Sequence, residues 1–275
     1  MGLGPPPLRI NVDGEAGTGK SHLIAVLSTT LCDMARANGK PSPLARAAPT
    51  GVAAFSINGR TTYDLLRLPV NRPFEKLPAA SFTSLQQAFK DIHYLILDEK
   101  SMIGQVHLAW IDYRLRQIYP ARNDIYFGGL NILLVGDFHQ LPSVGQAALY
   151  SNLSARPSEL ASHGKGAYEA IDRTAVLDQI MRQGGDDAES SAFRTALAEL
   201  RSDSVSDLTW KLLLTRYKQG LSTDEVAGFN NAIRLYGTRA AVGKYNTTQL
   251  RDLLQPVVAI KSVDTGVGVQ RVTPD

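Results

Sequence analysis

The sequence predicts an α/β fold: a doubly wound parallel sheet flanked by helices, followed by a partial second lobe of the same kind. Three observations lead there. Short apolar runs, Tyr94-Leu95-Ile96-Leu97 and Asn131-Ile132-Leu133-Leu134-Val135, read as strands buried on both faces. They alternate with amphipathic stretches such as Met102 to Tyr119, and that alternation implies right-handed crossovers between parallel strands. The third is Gly14-Glu15-Ala16-Gly17-Thr18-Gly19-Lys20-Ser21, which fits the phosphate-loop pattern G-x-x-x-x-G-K-[ST] between a strand-like and a helix-like stretch.

Taken in order, Leu8 to Val12 alternates like a short strand, and Ser21 to Asn38 reads as a helix with Gly39 as its stop. Leu44 to Ala48 is a short buried strand ending at Pro49-Thr50-Gly51. Val52 to Ile57 is helical until Asn58-Gly59 breaks it, and Thr61 to Leu66 forms one more short helix. Residues 68–83 hold Pro69, Pro73 and Pro78 and read as an irregular excursion before a helix from Leu85 to Asp91. Residues 155–166 are rich in Ser and Gly and read as a loop, after which Ala175-Val176-Leu177 closes the sheet. Beyond a break at Gly184 to Asp187, helices are expected over Ala188 to Arg201 and Ser206 to Tyr217. A strand at Ala232 to Tyr236, a helix from Thr238 to Leu254 and a strand at Val257 to Ile260 would open the second lobe. The expected domains are 1–177 and 178–275.

Composition narrows the class. The 275 residues are 44% hydrophobic and 20% charged, which suits a globular chain of one large or two modest domains. Net charge is only +3, but residues 1–90 carry ten Lys/Arg against five Asp/Glu, weak support for a phosphate-rich partner. The single cysteine, Cys32, excludes a disulfide framework and reads as a small buried hydrophobe in a reducing compartment. No apolar run approaches a membrane span. The opening Met1-Gly2-Leu3-Gly4 matches neither a signal peptide nor a myristoylation site, since Pro6 stands where Ser or Thr is needed. His93, His107 and His163 lack metal-ligand spacing, and Trp110 and Trp210 sit on amphipathic helices where a core role is expected.

The chemistry gathers at strand ends, where doubly wound sheets bind ligands. Backbone N–H groups of the glycine-rich loop would cradle a β-phosphate, Lys20 would reach the β and γ oxygens, and the Ser21 hydroxyl would coordinate Mg²⁺. Asp98 would hold Mg²⁺ through water, while Glu99 would orient and deprotonate the attacking water. Gln140, in Gly136-Asp137-Phe138-His139-Gln140-Leu141-Pro142, can bond both a γ-phosphate oxygen and that water. Thr50-Gly51 offers a hydroxyl and an N–H at a helix start, a common phosphate contact.

Together these blocks resemble the PIF-type (petite integration frequency) DNA helicases, relatives of RecD-like enzymes within helicase superfamily one. Gly14 to Ser21 resembles their first motif. Ala48 to Ala54 with Ile57 to Thr61 resembles motif Ia and its extension, Leu97 to Met102 motif II and Gly136 to Pro142 motif III. Ile180-Met181-Arg182-Gln183 resembles the motif that begins the second lobe, and residues 232–246, with Thr238 and Asn246, its first strand and helix. The resemblance implies a P-loop NTPase of RecA-like fold and an ATP-driven motor moving five-prime to three-prime on single-stranded DNA, with tailed duplexes as substrates. It also implies roles in repair, recombination and telomere maintenance, and an intracellular setting, nuclear or mitochondrial. By position, Thr50 and Thr61 would touch DNA phosphates, Arg182 would reach the γ-phosphate and Gln140 would sense it. Two residues depart from the pattern. Tyr63 replaces a histidine and could stack on a base or join the core. Lys100 replaces an aliphatic residue and is either solvated or lowers the Glu99 pKa. No adenine-reading segment, final two motifs or accessory domain is found, so the sequence reads as a fragment whose unwinding activity is open. A nucleotide- and DNA-binding piece that does not unwind is the rival reading.

Overall fold

The computed structural model describes residues 5–70, 73–183, 185, 187–230 and 232–258. By compactness the chain forms two units, Met1–Thr209 and Trp210–Asp275. The first is built on a six-stranded parallel sheet: β1 (Arg9–Gly14), β2 (Leu44–Ala48), β3 (Arg60–Thr61), β4 (Tyr94–Leu97), β5 (Asn131–Gly136) and β6 (Arg173–Leu177), in the order β3-β2-β4-β5-β1-β6. Every pairing is parallel. Residues 178–209 fall within the first compact unit rather than after residue 177, because the segment after β6 turns back onto the phosphate loop: Met181 N donates to Gly17 O at 2.8 Å.

Strand alternation divides the sheet between two cores. On one face Ala45, Ala47, Leu95, Leu97, Ile132 and Leu134 pack with residues of α4 (Ala79–Phe89), α5 (Gln105–Ile118) and α6 (Glu159–Glu169). On the other, Val12, Ile96, Leu133 and Val135 pack with α1 (Lys20–Ala37) and α2 (Gly51–Ser56). Fully burying each such Val, Leu or Ile side chain contributes about 1.5–3 kcal/mol. α1 ends as its sequence predicts: Gly39 adopts φ 64°, Gly39 N donates to Arg36 O and Lys40 N to Ala35 O, the paired bonds of a Schellman stop.

Several expectations are corrected. The excursion at 68–83 ends early, since α4 starts at Ala79, with Phe82 N bonded to Pro78 O. The expected loop at 155–166 is largely helix. Ser158 caps α6 by accepting from Ala161 N at 3.1 Å, and the glycines that suggested a loop permit close packing. A Cβ on Gly164 would lie 1.7 Å from Gln105 O of α5, so only glycine lets these helices approach. Cys32 is half-buried rather than buried, with its Sγ 3.3 Å from Ser42 Oγ. Trp110 packs on the first core as expected, but Trp210 is exposed.

α7 (Ala188–Arg201) completes the first unit, and α8 (Asp207–Leu214) runs across the division. The second unit holds α9 (Thr223–Gly228), started by a Ser222–Glu225 capping box, and α10 (Arg239–Asp252), capped by Thr238. The strand expected at Ala232 to Tyr236 does not form; those residues are irregular and Ile233 and Leu235 are exposed, with no strand beside them to pair with among the described residues. Of the strand expected at Val257 to Ile260, the first two residues are irregular and the last two lie outside the described residues, as does the opening Met1 to Gly4. Among the described residues no helix is long and apolar enough to cross a membrane.

Candidate functional site

All the chemistry-bearing residues singled out in the first unit lie at or just after the carboxyl ends of its strands. Across the sheet these ends carry Thr61 as the last residue of β3, Thr50 after β2, Asp98-Glu99 after β4, Asp137 to Gln140 after β5, the phosphate loop after β1 and Arg182 after β6. The two threonines therefore stand at one side, the phosphate loop and Arg182 at the other, and the two acidic turns between them.

The phosphate loop is shaped by Gly17 at φ 88° and Gly19 at φ 93°, backbone that favours glycine, and Gly19 leads directly into α1. Thr18 Oγ1 donates to Glu15 O at 2.9 Å and closes the turn. Lys20 Nζ donates to Gly14 O at 2.8 Å and Glu15 O at 2.9 Å, so its ammonium lies along the inside of the loop. A cavity of about 600 Å³ opens there, lined by Gly17, Lys20, Ser21, Glu99, Gln140 and Arg182 among others. His22 also faces it, a residue that the loop pattern does not single out.

Burial pushes the Asp98 carboxyl above its usual range, against the opposing pull of the Glu99 backbone N–H and Lys20. Glu99 is raised first by burial and then by Asp98 and Asp137, with Lys20 opposing. A raised carboxylate is a stronger proton acceptor, as a general base requires. Glu99 also sits at φ 53°, a left-handed conformation that costs a non-glycine residue on the order of 1 kcal/mol or more. That twist turns the next side chain inward. Lys100 is neither solvated nor a partner of Glu99: it is fully buried, with Nζ 2.6 Å from Asp13 Oδ1, 2.8 Å from Asn11 Oδ1 and 4.5 Å from the Phe138 ring centre. Its ammonium ties the β4 turn to the end of β1. Gly136, at φ 150°, leaves the room, since a Cβ there would meet Lys100 N at 2.7 Å.

Asp137 is buried. Burial alone would raise it, but two bonds from Arg201 and the His139 N–H hold it down at about 2. Sequence reasoning missed Arg201. A cation in the last turn of an amphipathic helix looks like an ordinary dipole partner, and nothing local marks it.

The Thr50 hydroxyl accepts from Ala53 N at 3.3 Å and caps α2. The Thr61 hydroxyl accepts from Asp64 N at 3.1 Å and caps α3 (Thr62–Leu65). Each keeps its own proton to donate to an anion. A second cavity, of about 480 Å³, is lined by Thr50, Ala53, Ser101, Met102 and Leu141, and it too reaches Glu99 and Gln140. Tyr63 belongs to the core: it is half-buried with its ring centre 4.8 Å from that of His107, whose pKa burial lowers to about 4.

The model of the PIF1-like helicase family matches residues 7–207. The chain belongs to that family. Among curated relatives, the ATP-dependent DNA helicase PIF1 of Candida albicans is 30% identical over 92% of this chain and 27% of that protein. The RRM3 helicase of Saccharomyces cerevisiae is 28% identical over 91% of this chain and 32% of its own length. The chain thus spans about a quarter to a third of these relatives. The crystal structure of the Candida albicans Pif1 helicase superposes with a TM-score of 0.69 at 28% identity, covering 94% of this chain and 54% of that one. A Bacteroides Pif1 helicase solved with ADP-AlF3 and single-stranded DNA superposes at 0.62 and 25% identity, covering 91% and 54%.

Proposed function

We propose that this chain is the motor portion of an ATP-dependent DNA helicase, coupling ATP hydrolysis to five-prime to three-prime movement along single-stranded DNA. The observation that carries the reading is the shared wall of the two cavities. Glu99 and Gln140 face both the phosphate loop and the Thr50 side. A group that contacts the γ-phosphate on one side and the nucleic-acid side on the other transmits nucleotide state to DNA grip. In this reading Gly14 to Ser21 hold the phosphates, Glu99 accepts the proton of the attacking water, Gln140 orients that water and Arg182 meets the γ-phosphate. Thr50, Gly51 and Thr61 bind DNA phosphates.

Ser21 and Asp98 suit Mg²⁺, an ion that commonly takes one or two protein oxygens and keeps waters and phosphate oxygens for the rest. Bound there it would neutralise phosphate charge, and its own charge would offset the cost that burial places on the ionised form of Asp98. Repair, recombination and telomere maintenance, on nuclear or mitochondrial DNA, are the processes this activity fits. The rival reading is a nucleotide- and DNA-binding piece that does not unwind; the lack of a strand among the described residues of the second unit favours it. ATPase measured on the purified chain with and without single-stranded DNA tests the proposal. Stimulation by DNA supports a motor, and nucleotide binding without stimulation supports the rival.

A further inference from the structure

One arginine braces the nucleotide cavity from behind. Arg201, the last residue of α7, grips Asp137 with two hydrogen bonds, Nη1 to Oδ2 at 2.7 Å and Nη2 to Oδ1 at 2.8 Å. Its Nε lies 3.3 Å from Glu15 Oε1 on the phosphate loop. The Asp137 side chain is 2% exposed and that of Arg201 26%, so the fork works largely away from water. Asp137 does more than accept this fork. Its Oδ1 takes the His139 N–H at 3.0 Å, and its Oδ2 lies 3.5 Å from Gln140 Nε2, the outer limit of a hydrogen bond.

We propose that Arg201 is a positioning residue for the hydrolytic step: by clamping Asp137 to the phosphate loop, it fixes the direction in which Gln140 presents its amide to the nucleotide cavity. The proposal rests on the reading of that cavity as an ATPase site. With Nε2 turned to Asp137, the end of Gln140 left for the cavity is Oε1, the acceptor needed to hold the O–H of an attacking water. Without Arg201, Asp137 becomes a buried carboxylate lacking its cation, which must either take up a proton or draw other donors inward. Either outcome releases the Gln140 turn. The same helix sets the opposite wall, because Arg194 Nη1 donates to Gln183 O at 2.7 Å, beside Arg182. One element thus orients both the candidate sensor and the candidate arginine finger. A planar fork is required, since lysine offers a point charge that cannot bond Asp137 twice and reach Glu15 as well.

The test uses the full chain and compares affinity for Mg-ADP with affinity for Mg-ADP plus aluminium fluoride, by competition against a fluorescent ADP analogue. Arg201→Gln is expected to bind ADP within about twofold of the parent and to lose roughly tenfold or more for the fluoroaluminate complex, the loss of one well-placed transition-state contact. Arg201→Lys recovers only part of that loss. Asp137→Asn combined with Arg201→Gln is no worse than Arg201→Gln alone, because both break one link. Equal losses for ADP and for the fluoroaluminate complex, or additive losses in the double variant, overturn the inference and leave the nucleotide reading standing. A parent that binds no ADP removes that reading and this inference with it. Should Arg201→Gln fail to fold, Arg201→Lys and Asp137→Asn carry the same comparison, each expected to weaken the fluoroaluminate complex selectively.

Discussion

In the proposed function Lys20 and Glu99 are the two residues on which the chemistry turns, and both stand out in the sequence because local patterns single them out. Lys20 already lies against the loop carbonyls Gly14 O and Glu15 O, where a bound phosphate would draw it off. Lys20→Met keeps the bulk and removes the ammonium. It is expected to weaken ATP binding and abolish hydrolysis, and parent-like ATP affinity in a titration would refute the phosphate-loop assignment. Glu99→Gln keeps the shape and is expected to retain nucleotide while losing about two to four orders of magnitude in turnover. The raised pKa of Glu99 adds a pH dependence with a definite sign. The base form must be ionised, so parent turnover should fall as pH drops through a value above the ordinary glutamate range of about 4.3. A pH–rate profile flat down to that range would place the base elsewhere. Lys100 and Arg201 were not legible in the same way. Which way Lys100 points depends on the left-handed turn at Glu99, and the worth of Arg201 depends on a carboxylate 64 residues away in sequence.

At the scale of elements, the five longer strands of the sheet were read almost to the residue, most securely β4 and β5, whose buried faces demand apolar runs, whereas the two-residue β3 carries no such run and was not expected. β2 and β4 match their expected spans, and β1, β5 and β6 differ only at their ends. The helix α6 escaped because its serines and glycines are helix-poor when read locally, and its reason for forming is tertiary. It packs against α5, joined by the hydrogen bond between His163 Nε2 and the buried Asp112 Oδ2 at 2.6 Å. Gly164 meets the α5 backbone directly. Gly164→Val would force the two helices apart and is expected to destabilise the unit by about 1–3 kcal/mol or more. In a unit of this size each kcal/mol moves the melting midpoint by roughly 2–4 °C. A thermal melt within 1 °C of the parent would mean that the two helices tolerate separation at this point. Gly220→Ala, where an added Cβ meets nothing within 4 Å, is the control.

At the scale of the whole molecule, the sheet of the first unit was foreseeable, while in the second unit the helix expected at Thr238 to Leu254 forms as α10 but the strand expected before it does not. Phosphate chemistry imposes motifs on strand ends, whereas elements without such motifs are specified by packing over long sequence distances. The strand expected at Ala232 to Tyr236 shows the difference, since an apolar run becomes a strand only where another strand offers it hydrogen bonds. This bears on what the 275-residue chain does in isolation. Its nucleotide cavity gathers Lys20, Ser21, Glu99 and Gln140 from the strand ends β1, β4 and β5, and Arg182 after β6. Arginine fingers in phosphoryl transfer contribute about three to five orders of magnitude in rate, so if Arg182 is the finger, as proposed, turnover rests heavily on how firmly it is held. In the proposed function the DNA contacts on the described strand ends come from Thr50, Gly51 and Thr61, few for a strand-binding surface whose affinity grows with each phosphate met. The chain assayed alone is therefore expected to bind Mg-ATP, to bind single-stranded DNA weakly with affinity that falls as salt rises, and to hydrolyse ATP slowly. Displacement of a labelled strand from a tailed duplex at low salt should be undetectable. Robust ATP-dependent displacement would show that these 275 residues already close a complete two-sided grip on nucleotide and DNA.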